Sequence, residues 1–197
     1  MCFRCITVFF FRHNDEGDSF HLDLHEPFIT AYSVEEDSGV FIAFSTLSML
    51  FNPLKVVNSG WQLQVQADAT FRVCVEEVGL LGGVNSLGAK FHLTVVSMIP
   101  QSIENKKAYL ETWKSVKSSL NLLLRTHIRC PLKGCEACDF LHVIKTQESV
   151  EDLFHEDGFK LPVHVASSDN NQAFHNFATQ YLGVVPTKCC SHLSGVA

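Results

Sequence analysis

Two aspartates carry the chemistry this chain could do. Asp68 ends the run Trp61-Gln-Leu-Gln-Val-Gln-Ala-Asp68, whose alternation sets Leu63, Val65 and Ala67 on one face and Gln62, Gln64, Gln66 and Asp68 on the other. Asp169 lies just beyond a second strand-like run, Val163-His-Val-Ala-Ser167. Two carboxylates brought together repel unless a cation sits between them, and hard oxygen ligands with open positions suit Mg2+ or Mn2+. Such an ion binds phosphate oxygens, activates a water or a 3′-hydroxyl and stabilises a leaving oxygen, so the matching chemistry is phosphodiester cleavage or strand transfer. Each aspartate also has a plain reading: Asp169 precedes a helical pattern it could cap, and Asp68 ends a strand, where polar residues are common.

Cysteine and histidine form a second constellation. Cys130-x4-Cys135-x2-Cys138-x3-His142 supplies thiolates and an imidazole within one loop, a donor set suited to a structural Zn2+. Simple burial of free thiols is the alternative. Cys189 and His192, in Cys189-Cys-Ser-His192, add zinc ligands or brace the helix before them, and Cys190 makes that choice ambiguous. Cys2-x-x-Cys5 is incidental. A Cys189/His164 nucleophile pair lacks an orienting third group. Lys106, Lys107, Lys114 and Lys117 lay a cationic stripe on one helix, a solvated face first and a phosphate contact second.

The elements that must position these groups follow from periodicity. Residues 1–38 show no sustained period and read as an N-terminal extension; residues 39–197 read as the main domain. Val40-Phe-Ile-Ala-Phe44 is strand-like, Ser45 offers a cap for a short helix, and Asn52-Pro53 ends it. After the Asp68 strand, residues 72–78 form a second strand, the glycine-rich stretch 79–88 a turn, and Phe91-His-Leu-Thr-Val-Val-Ser97 a third strand. Ser102 is the expected N-cap of a helix whose buried stripe is Tyr109, Trp113, Val116, Leu120 and Leu124. A Cys/His-containing insertion at about 125–160 includes a short helix at 149–155. The 163–167 strand comes next, then a helix over 171–182 with Ala173, Phe174, Phe177, Ala178 and Tyr181 on one face and Gly183 ending it, and a short strand at Val184-Val185.

This order predicts an α/β protein: a three-stranded antiparallel meander, then parallel strands reached by crossover helices. If the fourth strand pairs with the first, their C-terminal ends share one sheet edge, about 4.8 Å apart. Asp68 and Asp169 become neighbours there.

The segment Trp61 through Asp68-Ala-Thr70-Phe71 resembles the first catalytic strand of Mutator-like (MULE-type) transposases, with its Asp-x-Thr-Phe motif. Ser167-Ser-Asp169-Asn-Asn-Gln-Ala173-Phe174 resembles the second-Asp motif of that family, and Cys189-x-x-His192 the Cys-x-x-His that follows it. A helix with Glu104 and Trp113 sits where the family has one bearing Glu and Trp. The resemblance covers about residues 39–197. It implies an RNase H-like fold, Mg2+ or Mn2+ held by catalytic carboxylates Asp68 and Asp169, DNA as the partner of the full-length parent, and a nuclear, intracellular location. The third carboxylate, a Glu on a later helix, would fall past Ala197, so the chain reads as a C-terminally truncated core, inactive alone. Glu104 is the other candidate for that third role, although a glutamate in a first helical turn is explained by the helix dipole.

Composition bounds these readings. The 197 residues are 46% hydrophobic, enough for one substantial core. With 15 Lys+Arg against 21 Asp+Glu the net charge is −6, so no global positive field grips DNA and weak or no binding by this fragment is expected. No apolar run approaches the roughly 20 residues a membrane helix needs. The N-terminus lacks a cleavage site for a signal peptide, which favours a reducing compartment for the eight cysteines. The competing reading is a non-catalytic, zinc-stabilised interaction module on the same scaffold. That reading expects stoichiometric zinc, lost on replacing Cys135 and Cys138; elemental analysis returning a folded, metal-free chain would sink it.

Overall fold

A computed structural model describes residues 24–35, 39–74, 77–86, 90–100, 105–125, 139, 142, 154–155, 158–159, 162–168 and 171–188. The chain is a mixed α/β protein. Its strands are β1 (Phe28–Glu35), β2 (Gly39–Ser45), β3 (Leu63–Cys74), β4 (Glu77–Ser86), β5 (Lys90–Pro100), β6 (Phe154–His155), β7 (Gly158–Phe159), β8 (Val163–Ser168) and β9 (Pro186–Lys188). Among the described residues the helices given ranges are α1 (Leu47–Asn58), α2 (Lys106–Arg125) and α3 (Gln172–Phe177), the last running on into a π-helical turn, Ala178–Leu182. Seven strands make one sheet in the order β1-β2-β5-β4-β3-β8-β9; β6 and β7 form a separate hairpin. Pairing is antiparallel from β1 through β3, then parallel for β3–β8 and β8–β9.

The helices bury one face of this sheet. Leu63, Val65 and Ala67 are at most 2% exposed, and register places Ala67 beside Gly82 and Val65 beside Val84 on that same face. Tyr109, Trp113, Val116, Leu120 and Leu124 of α2 are buried, as their spacing predicts. Each such side chain contributes about 1.5–3 kcal/mol on burial. Hydroxyl pairs fix the rotation of α2: Ser97 Oγ and Thr112 Oγ1 share a hydrogen at 2.8 Å, and Thr30 Oγ1 donates to Ser115 Oγ at 3.1 Å. Phe174 and Phe177 of α3 pack on Tyr109 with ring centroids 5.3 and 6.1 Å away.

Several local expectations are corrected. Phe28–Glu35, within the stretch expected to be an extension, is an edge strand of the main sheet, held by its pairing to β2. The α1 N-cap is Thr46, whose Oγ1 accepts from Met49 N at 3.1 Å; Ser45 is committed to the sheet, donating to Thr94 O at 2.6 Å. Asn52-Pro53 does not end α1. Pro53 is buried inside it, and the burial of Leu50, Phe51, Leu54 and Val56 offsets the cost of about 3 kcal/mol for an interior proline. Asn52 Nδ2 further ties the helix to Leu93 O at 2.7 Å. Ser59 then closes the helix, and Gly60 (φ 71°) turns the chain toward β3.

Of the stretch 79–88 expected to turn, residues 79–86 are strand, because β4 runs through Gly79, Gly82 and Gly83, and β3 continues to Cys74; residues 87–88 lie outside the described residues. A Cβ built on Gly82 would lie 2.9 Å from Val95 Cγ1 of the paired strand and 3.5 Å from Trp113 Cζ2, so the glycine makes room for the Val95 side chain under α2 rather than bending the chain. At 154–155 a strand stands where a helix was expected, held by antiparallel pairing of Phe154 with Phe159 and His155 with Gly158. The last strand lies beyond Val184-Val185, because Val184 N donates to Ala178 O in closing the preceding helix at Gly183 (φ 72°). Ser102, the expected cap of α2, lies outside the described residues; Asn105 Oδ1 accepts from Ala108 N at 2.9 Å. Replacing Gly82 by Val is expected to lower the unfolding free energy by about 1–3 kcal/mol in urea denaturation, the usual cost of overpacking.

Candidate functional site

The parallel pairing of β3 with β8 is the junction on which the sequence reading depends. Its register runs Leu63↔Val163, Gln64↔Val165, Val65↔Ala166 and Gln66↔Ser167, with an irregularity after Leu63. His164 is the extra residue of β8 at that point, and its Nδ1 accepts the Leu63 N–H at 3.2 Å. A side chain thus satisfies a donor that the bulge takes out of the ladder. Two residues further on, Gln64 Nε2 donates to Ser167 Oγ at 3.0 Å, joining the strands through side chains as well. Thr187 Oγ1 of β9 donates to Ala166 O at 3.3 Å on the other flank.

β8 becomes buried and polar toward its C-terminus. Ala166, Ser167 and Ser168 are 0%, 3% and 1% exposed, and Ser168 Oγ has no partner among the described residues. The next helix has its own cap: Asn171 Oδ1 accepts from Ala173 N at 2.8 Å and from Phe174 N at 3.3 Å. The plain explanation of Asp169, an N-cap for that helix, is therefore taken by Asn171. Asn171 was legible in the sequence as a favoured cap residue just before an apolar helical stripe. The Gln64–Ser167 bond was not legible, because it depends on which strands pair and in what register.

Asp68 stands in β3 with its backbone opposite Leu81 of β4. Asp169 lies outside the described residues, as do Glu104, Cys2, Cys5, Cys130, Cys135, Cys138, Cys189, Cys190 and His192. His142 is helical and exposed. Among the described residues there is no group of three or more His, Cys, Asp or Glu placed to hold a metal. His164 is exposed on β8 with Nδ1 engaged as above. Two lysines of the α2 stripe have local partners: Lys114 Nζ is 3.1 Å from Glu111 Oε1, and Lys106 Nζ donates to Gln180 Oε1. Burial raises the Tyr181 phenol above the ordinary tyrosine value, with Lys114 opposing the rise and Glu111 adding to it. Among the described residues no helix is long and apolar enough to cross a membrane.

The chain matches no family model, no curated protein and no solved structure. With the cap assigned to Asn171, Asn171→Ala is expected to cost about 1 kcal/mol of stability. Asp169→Ala, by contrast, is expected to stay within about 0.5 kcal/mol of the parent. Paired denaturation curves with the order reversed would return Asp169 to a capping role.

Proposed function

We propose that the chain is part of an RNase H-like, transposase-type catalytic core in which Asp68 and Asp169 contribute oxygen ligands to Mg2+ or Mn2+ for phosphodiester chemistry on DNA. The observation that carries this reading is the parallel β3–β8 pairing. Its register sets Gln66 opposite Ser167, and Asp68 and Asp169 each follow two residues later in the sequence. The alternation of the sequence assigns Asp68 to the same face as Gln64 and Gln66.

The sheet supports the same reading at a coarser level. Its β5-β4-β3-β8-β9 portion has three antiparallel strands followed by two parallel ones, with α2 between β5 and β8 and α3 between β8 and β9. That is the arrangement an RNase H-like core of this kind calls for. The motifs Asp68-x-Thr70-Phe71, Asp169 and Cys189-x-x-His192 then fall in the order the transposase resemblance implies. On this reading DNA is the substrate and the nucleus its location, and other segments supply most of the grip that a net charge of −6 does not.

The donor set fits the ion. Two carboxylates at one sheet edge give hard oxygen ligands and leave positions open for phosphate and water. A bound divalent ion would lower the pKa of a nucleophilic water or hydroxyl and offset charge on the phosphoryl oxygens. The protein's share is to hold the two side chains at a fixed separation and to tolerate their mutual repulsion until the ion arrives. Isothermal titration is expected to show Mn2+ uptake by the parent and its loss in the double variant Asp68→Asn/Asp169→Asn. Equal, negligible heats from both proteins would remove the site.

A further inference from the structure

The two edges of the seven-stranded sheet are unlike. β9, at one end of the strand order, has 3 residues, and its Pro186 and Lys188 are residue types that blunt an edge against further pairing. β1, at the other end, has 8 residues with neither proline nor lysine among them. Among the described residues no strand pairs with its outer side, so its outward N–H and C=O groups form a template for another strand.

A bulge decides what this edge displays. Ile29 stands opposite Phe44 and Ala31 opposite Ala43, which leaves Thr30 as the extra residue of β1. Thr30 is buried and bonded to Ser115 of α2, and Ala31 packs on the core, so these two neighbours share the helix side of the sheet. Beyond them the alternation is reversed. Tyr32 pairs with Ile42 and Val34 with Val40, on the face away from α2. Ile42 in turn stands opposite Met98, whose neighbour Ser97 faces α2 through Thr112. Tyr32 and Val34 are left 61% and 59% exposed, two large apolar side chains on one face of an open edge.

The part of β1 that can extend the sheet regularly lies past the bulge, at residues 31–35, with Ser33 at its midpoint. Antiparallel self-pairing about a two-fold axis at Ser33 sets Tyr32 of each copy against Val34 of the other, an aromatic side chain on a β-branched one, which is a favourable cross-strand pair. The same register sets Glu35 against Ala31, so acid does not meet acid between copies that each carry a net charge of −6. Both copies use the same patch, and the blunted β9 offers no second strand to propagate the contact, so the assembly closes at two copies.

We propose that β1 is a self-association edge. Two copies of the chain pair their 31–35 segments antiparallel about Ser33 and join their sheets into one, with Tyr32 of each copy on Val34 of the other. This interface stands apart from the metal-centre reading and does not depend on it.

The test is sedimentation equilibrium of the full chain over a dilution series, with melting temperature at the dilute end as a check on folding. The parent is expected to be a dimer that dissociates on dilution. Tyr32→Lys and Val34→Lys each place a charge in the interface twice by symmetry, and each is expected to raise the dissociation constant about 10-fold. The double variant Tyr32→Lys/Val34→Glu sets opposite charges across both cross-strand pairs, and is expected to dimerise more tightly than Tyr32→Lys or Val34→Glu alone. Should Tyr32→Lys lower the melting temperature, Val34→Lys carries the same comparison. A parent that stays monomeric throughout the series overturns the proposal and leaves the edge to a strand of another protein. A dimer that neither lysine weakens overturns it in favour of another surface. A double variant no tighter than the single ones overturns the pairing about Ser33.

Discussion

One parallel contact in a sheet that is otherwise largely antiparallel dictates the path of the chain. β3 and β8 lie side by side and point the same way, although the meander and the whole of α2 separate them in sequence. Because β4 and β5 each reverse direction, β5 leaves the sheet at the end where β3 also finishes. The chain must then travel the length of the sheet before β8 can begin. The 20 residues of α2 span roughly 30 Å, comparable to the reach of the long meander strands, which is what makes the parallel return possible.

Seating that crossover determines where the chain uses unusual residues. Gly82 makes room for Val95 on the neighbouring strand beneath the Trp113 ring, and the Ser97–Thr112 and Thr30–Ser115 pairs fix the helix in rotation where apolar contacts alone would allow several settings. Buried hydroxyls stabilise little in net terms when paired and cost about 1–3 kcal/mol when orphaned, so they select one arrangement more than they strengthen it. Tyr109 carries the constraint onward: its ring packs on Phe174 and Phe177, so the position of α2 sets that of α3 and hence of β9. Four residues after Phe177, Tyr181 lies on the same helical face and stacks on the Phe177 ring, with centroids 5.5 Å apart.

The parts legible in the sequence were those set by local period. The strand around Val65, the apolar stripe of α2, the 163–168 strand and the left-handed Gly183 all have signals contained within a few residues. What sequence reading missed depended on distant partners. Phe28–Glu35 is a strand because β2 offers it an edge, and its outward Tyr32 and Val34, 61% and 59% exposed, give no alternation of polar against apolar to announce it. The β4 glycines resemble a turn until Trp113 is brought over them. Pro53 resembles a helix end until the burial of Leu54 and Val56 outweighs the missing hydrogen bond. For the candidate site, the pairing of the two strands was foreseen from their order. The bulge at His164 and the diagonal Gln64–Ser167 bond were not, since both are properties of a register that no single segment encodes.

The composition of β8 departs from what its place in the sheet would favour. A strand paired in parallel on both sides and covered by helices ordinarily reads as a continuous run of Val, Ile and Leu. β8 instead ends in Ala166, Ser167 and Ser168, all buried, with one hydroxyl bonded to Gln64 and the other unpartnered among the described residues. Folding alone would favour apolar side chains there, since an orphaned buried hydroxyl is a net cost and a serine buries little area. Buried hydroxyls recur across the sheet, at Thr30 of β1, Ser45 of β2 and Thr94 and Ser97 of β5, and Thr94 Oγ1, like Ser168 Oγ, has no partner among the described residues. In β8 that polar end falls immediately before Asp169 in the sequence and beside β3, the strand of Asp68, where the proposed metal centre would draw on it. Cap geometry supplies no competing reason for it, because Asn171 already closes the next helix.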